Sequence, residues 1–133
     1  MEVVPELQNL NTISTLIGIE FLEITDEYIT AKMPVDDRTK QPFGLLHGGA
    51  SVVLAETIGS TAAFMMIKDP SKQSAVGIEI NANHLKGVSS GWVYGKCTPI
   101  HKGRRTQVWD IRITNEAGDL VCISRFTSMI IDR

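Results

Sequence analysis

QPFGLLHGGASVVLAETIGST, residues 41–61, decides the fold. Pro42 and Gly44 stop regular structure in its first half. From Gly48 onward the sequence predicts a helix to about Lys68, about 20 residues and about 30 Å long at 1.5 Å per residue. Val52, Val53, Leu54, Ala55, Ile58, Ala62, Ala63 and Phe64 surround its axis instead of keeping to one stripe. A helix apolar nearly all round is expected to be buried nearly all round, so other structure must cover it on more than one side. Within that run stands Glu56. A carboxylate that loses water must be paired, protonated or kept for chemistry.

Outward from the helix the period changes. Before it, Glu20–Ile24 and Tyr28–Met33 read as two strands joined at Thr25-Asp26-Glu27, a first hairpin. After Asp69-Pro70-Ser71 ends the helix, Val76, Ile78, Ile80 and Ala82 alternate with Gly77, Glu79, Asn81 and Asn83, a period of two. Trp92–Pro99, Thr106–Thr114 and Leu120–Ile131 are three further strands, the last two joined by Asn115–Asp119. The expected class is α+β, an antiparallel sheet curved around one long central helix, with a second copy of the chain able to cover the helix's other side. Pro5 to Ile17 carries Leu7, Leu10, Ile13 and Leu16 at three-residue steps and predicts a short amphipathic surface helix.

Composition narrows the function classes. The 133 residues fit one domain, residues 1–133, with 43% hydrophobic and 21% charged residues. A net charge of −2 and a pI near 5.9 argue against a general nucleic-acid binder. Cys97 and Cys122 lie too far apart for a CxxC pair and read as buried thiols of a cytoplasmic protein. The start, MEVVPELQNL, lacks the features of a signal peptide, and no apolar run reaches the roughly 20 residues of a membrane span.

His47-Gly48-Gly49 stands at the helix N-terminus, where backbone N–H groups lack partners and the dipole is positive. Such an end suits a developing oxyanion, and it equally suits a tight loop-to-helix junction. Glu56, eight residues on, lies about 12 Å further along the axis, so one helix cannot bring both groups to one carbon. Two antiparallel helices related by a two-fold axis can. Ser60 shares the face of Glu56 and is placed to hold a water or the carboxylate. The alternative for Glu56 is a buried ion pair with Lys32, Lys68 or Arg125.

Gln41 through Ser51, with Glu56 and Ser60, resembles the hotdog-fold acyl-CoA thioesterases, in the branch of the 1,4-dihydroxy-2-naphthoyl-CoA hydrolases and enterobactin proofreading thioesterases. It is also similar to the Arthrobacter type of 4-hydroxybenzoyl-CoA thioesterase. MPVDDRTKQPFGLLHGG, GIEINANH and QVWDIRI extend the likeness over nearly the whole chain. The resemblance implies that Glu56 is the catalytic nucleophile or general base and that the Gly48 amide binds the thioester oxygen from the facing subunit. It further implies that His47 and Gln41 flank that carbonyl and that Ser60 assists Glu56. The expected protein is a homodimer at least, and a dimer of dimers by resemblance. It would act on aryl-type acyl-CoA or acyl-carrier substrates, with coenzyme A as product and no metal or other cofactor.

His101-Lys102-Gly103-Arg104-Arg105 is the densest basic cluster, and Arg104 and Arg105 are candidates for the coenzyme A phosphates or simply a solvated turn. His84 and Lys86 are second candidates; His84 equally suits a hydrogen-bonded core position. No GxSxG elbow, zinc spacing or Walker pattern is present. The competitors are a hydratase of the same fold, a medium-chain or phenylacetyl-type thioesterase, and a non-catalytic acyl-CoA binding module.

Overall fold

The computed structural model describes residues 11–133. Most of the helix expected over 5–17 lies outside them; its described end is one turn, α1 (Ile13–Leu16). The hairpin follows as β1 (Glu20–Ile24) and β2 (Ile29–Pro34). Thr25 closes its turn, since its hydroxyl donates to the Tyr28 carbonyl at 2.9 Å and accepts from the Tyr28 N–H at 3.0 Å. The long helix is α2 (Gly48–Met65), and four strands complete the chain: β3 (Gln73–His84), β4 (Trp92–Lys102), β5 (Thr106–Thr114) and β6 (Leu120–Asp132).

All six strands form one antiparallel sheet in the order β1-β2-β4-β5-β6-β3. This is the expected hotdog arrangement, a sheet wrapped on a single long helix. β3 does not sit beside its successor β4; it pairs with β6 and forms one edge, while β4 enters between β2 and β5.

The inward rows of the sheet meet one face of α2. Ala31, Met33, Val93, Ile111, Ile113 and Phe126 are buried against Leu54, Ala55 and Ile58. Each such large aliphatic side chain contributes roughly 1.5–3 kcal/mol when fully buried. Glycines let the layers approach: a Cβ on Gly59 would stand 2.6 Å from the Phe126 ring, and one on Gly95 2.7 Å from Ile58 Cδ1. Cys97 and Cys122 are buried free thiols.

Two sequence expectations are corrected. The helix stops at Met65, short of Lys68, with Met66 as its C-cap residue. Within one protomer the sheet covers one side of it, as expected, and Gly49, Glu56, Ser60 and Phe64 form an exposed stripe on the other. The alternation of β3 is broken by a bulge: Gly77 pairs with Ser128 and Glu79 with Thr127, which leaves Ile78 unpaired and 56% exposed. The extra residue shifts the parity, so that Gly77, Ile80, Ala82 and His84 share the inward side with Ser128, Phe126, Ser124 and Cys122. Among the described residues no helix is long and apolar enough to cross a membrane.

Candidate active site

The loop before α2 is built to present the helix N-terminus. Thr39, 1% exposed, donates its hydroxyl to the Pro34 carbonyl at 2.7 Å, and the Thr39 carbonyl accepts the His47 N–H at 2.8 Å. A bridge between Lys40 and Leu46 closes the tip, where Gly44 takes the positive φ that favours glycine. The Gln41 side-chain oxygen accepts the Phe43 N–H inside this loop. Its NH₂ group is thereby left as the end able to donate outward.

His47 is the N-cap residue: its Nδ1 accepts the Gly49 N–H at 2.8 Å. A neutral ring in this role carries its proton on Nε2. The Ala50 and Ser51 N–H groups bond the His47 carbonyl. Gly48 is the exception in the first turn, because among the described residues its N–H has no hydrogen-bond partner. Gly48 also faces His84 closely; a Cβ there would lie 2.8 Å from His84 Nε2.

Gln41, Leu45, Leu46, Gly48, Ser51, His84, Leu85, Lys86, Gly87 and Val121 line a cavity of about 340 Å³. Four of the residues singled out in the sequence, Gln41, Gly48, His84 and Lys86, are thus brought together. His84 is exposed, which excludes the core-histidine alternative. Lys86 is ion-paired with Asp119 at 2.7 Å, and the hydrogen bonds from Lys86 and then Asn115 hold the Asp119 carboxyl below the usual carboxylate range.

Glu56 and Ser60 are elsewhere, on the exposed stripe of α2. Glu56 Oε2 lies 3.4 Å from the position a Cβ would take on Gly77, over the bulge of β3. The ion pair considered with Lys32, Lys68 or Arg125 is absent among the described residues, and Lys32 instead stands 4.2 Å from the Trp92 ring centroid. From the sequence, Glu56 is expected to lose water. In one protomer it does not, because the chain covers only the sheet side of α2.

Arg104 and Arg105 occupy a third place, the turn between β4 and β5, beside the first residue of β3 in a recess of about 230 Å³ with Gln73, Ile130 and Asp132. β3 spans 12 residues, so His84 at its far end is about 36 Å away. One protomer therefore cannot offer both sets of cations to one small ligand.

Two features escaped the sequence. A cavity of about 280 Å³ at the C-terminal end of α2 is lined by Tyr28, Met65, Met66, Cys97, Pro99 and Trp109 among others. A buried hydrogen-bond chain links Trp109, Ser128, Gln107 and Gly103. The available signal was parity, since Gln107 stands in the same alternating row as Trp109, Ile111 and Ile113.

A model of the thioesterase superfamily matches residues 43–122. The 1,4-dihydroxy-2-naphthoyl-CoA hydrolase of Escherichia coli is 54% identical over 115 residues, covering 86% of this chain and 83% of that protein. The proofreading thioesterase EntH of Cronobacter turicensis is 47% identical over 128 residues, covering 94% and 92% respectively. The crystal structure of a mutant thioesterase from Pseudomonas aeruginosa superposes with a TM-score of 0.92 at 50% identity, over 97% of this chain and 91% of that one.

Proposed function

The chain belongs to the thioesterase superfamily, and from that membership we propose that it hydrolyses acyl-coenzyme A thioesters to free acid and coenzyme A, preferring aromatic or hydroxyaryl groups such as 1,4-dihydroxy-2-naphthoyl. The acyl preference rests on the likeness to the hydrolase and to EntH. The observation that carries the chemistry is Gly48 at a helix N-terminus, its N–H without a partner among the described residues, lining a cavity beside Gln41 and His84. An amide so placed stabilises negative charge developing on a carbonyl oxygen.

The site is shared between two protomers. Glu56 of one protomer supplies the attack on the carbonyl carbon, and the Gly48 N–H of its partner holds the carbonyl oxygen, with the Gln41 amide and His47 beside it. In the water route, Glu56 takes a proton from water as its oxygen adds to carbon, with Ser60 holding that water. Collapse of the tetrahedral intermediate breaks the C–S bond, and the leaving thiolate receives the proton. In the nucleophilic route Glu56 itself bonds to the carbonyl carbon, the thiolate leaves with a proton from solvent, and water cleaves the resulting anhydride. A thioester has a good leaving group, so neither route calls on a metal or other cofactor.

Three features support a second copy as the cover. β3 is a 12-residue edge strand, Ile78 is 56% exposed at its bulge, and Phe64 is 58% exposed on the stripe that holds Glu56. Antiparallel pairing of two β3 edges would set the Gln73 end of one strand beside the His84 end of the other. Arg104 and Arg105 of one protomer would then reach the cavity of its partner and bind the coenzyme A phosphates. The assembly is a homodimer at least, paired again into a tetramer, working in the cytoplasm on acyl-CoA or acyl-carrier thioesters.

Thiol release from a panel of acyl-CoAs tests this reading. Glu56→Gln is expected to keep substrate binding and lower kcat by about 10²–10⁴. An undiminished rate removes Glu56 from the mechanism. Tight binding with no thiol released by the natural protein would make it a binding module, and a lead for phenylacetyl or medium-chain thioesters would replace the acyl assignment.

A further inference from the structure

Resting on the assignment of the phosphates to Arg104 and Arg105, we propose that Gln107 is the positioning residue of that subsite, fixing the β4–β5 turn through the Gly103 carbonyl. Gln107 is fully buried, in an inward row where Trp109, Ile111 and Ile113 are its apolar companions. An amide there costs roughly 1–3 kcal/mol unless its hydrogen bonds are made. Both ends are used. Gln107 Nε2 donates to the Gly103 carbonyl at 3.0 Å, and Gln107 Oε1 accepts the Ser128 hydroxyl at 2.9 Å. The Ser128 oxygen in turn accepts the Trp109 indole N–H at 3.0 Å, and Ser128 is fully buried as well.

The chain has a direction set by chemistry. The indole can only donate, the hydroxyl has one proton to pass on, and the carbonyl can only accept. Each member therefore fixes the orientation of the next, from the sheet interior to one backbone oxygen in the turn. That turn is fastened at two more points, Gly103 N–H to the Thr106 carbonyl at 2.9 Å and Ile130 N–H to the Arg105 carbonyl at 2.7 Å. Gly103 admits no side chain, since a Cβ would lie 2.6 Å from both His101 Nε2 and the Thr106 carbonyl oxygen. Arg104 and Arg105 are the two residues held between these anchors. Two long cations can bind phosphates from a loose turn only by ordering it on binding, and the buried chain removes that cost beforehand.

The test compares two substrates carrying one acyl group, the coenzyme A thioester and the N-acetylcysteamine thioester, which has no phosphate. Gln107→Leu keeps the size and removes both hydrogen bonds. It is expected to raise KM for the coenzyme A thioester about tenfold, the scale of one lost hydrogen bond to a charged group, with kcat and both constants for the short thioester unchanged. Ser128→Ala, which removes one oxygen and frees one end of Gln107, should show a smaller rise with the same selectivity and guards against a misfolded Gln107→Leu. Equal effects on both substrates, or no effect in either variant, overturn the positioning role. The Arg104→Ala, Arg105→Ala double variant separates the premises: if it leaves the preference for coenzyme A intact, the phosphate assignment falls and the positioning role with it. If it abolishes the preference while the Gln107 and Ser128 variants do not, only the positioning role falls.

Discussion

At the scale of single residues, environment divides groups of similar chemistry into inert and available. Burial, with a smaller push from Asp110, raises the Cys97 thiol to about 12, and burial raises Cys122 as well. A raised thiol value means that the folded state holds its proton more tightly than the unfolded chain, whose ordinary value is 9.0. The stability tied to that proton is therefore complete below the ordinary value and is lost as pH rises from there towards about 12. Alkaline unfolding should set in later when Cys97 is replaced by Ala, after allowance for the lost packing. At pH 8 a disulfide reagent should leave both native thiols untouched and find two in denaturant. Rapid titration of the native protein would show that the interior is open. The same property keeps the blank low when released coenzyme A is followed by its thiol. Gly48 and Gln41 differ in that they line a cavity, and among the described residues the Gly48 N–H and the Gln41 NH₂ group have no partner, so a ligand there can complete them.

At the scale of elements, the fit between α2 and the sheet joins stability to the site. Phe126 is 1% exposed and lies between two glycines, with Gly59 on the helix and Gly77 on β3, and Glu56 rests over Gly77. Gly59→Ala gains up to about 1 kcal/mol of helix propensity. Its Cβ, however, would stand 2.6 Å from the ring. Overpacking of a close-packed interior costs roughly 1–3 kcal/mol, so net destabilisation is expected in urea unfolding, together with a lower kcat as Phe126 presses towards Glu56. Gly95→Ala should cost less, because the atom it meets is Ile58 Cδ1, the terminal methyl of an aliphatic side chain and not a rigid ring. Equal stability of Gly59→Ala and the natural protein would refute this account of the packing. Much of the element level was legible in sequence, since the period of two and the turn residues mark the strands. The bulge was not, because inserting one residue changes the parity of a strand without changing its composition. Nor was the pairing of β3 with β6, which depends on how the whole sheet closes. The spacing of Gly48 and Glu56 along one helix is legible in the sequence and underlies the proposed two-chain site, whereas the exposed stripe is not, because it depends on the sheet covering a single face of α2.

At the scale of the whole molecule, the uncovered side of the protein and the proposed division of the site are one problem. A long edge strand with Ile78 exposed offers a surface for pairing with another chain, and it is the edge the proposed dimer uses. A two-fold interface presents the same patch from both partners, so the proposed dimer would hold two equal sites, each with Glu56 from one chain and Gly48 and Gln41 from the other. Mixing two differently disabled chains tests this division directly. Glu56→Gln protomers keep an intact Gln41 side, and Gln41→Ala protomers keep an intact Glu56. Unfolded together in equal amounts and refolded, half of the dimers should be mixed, and each mixed dimer should hold one complete site and one doubly broken one. Activity should then rise from the low level of either parent to about a quarter of that of the natural protein. If both groups came from one chain, every site in the mixture would stay defective and no rise would occur. Failure to rise, in a mixture shown by mass to contain mixed dimers, would return Glu56 and Gly48 to a single protomer, against the separation of about 12 Å that the helix imposes.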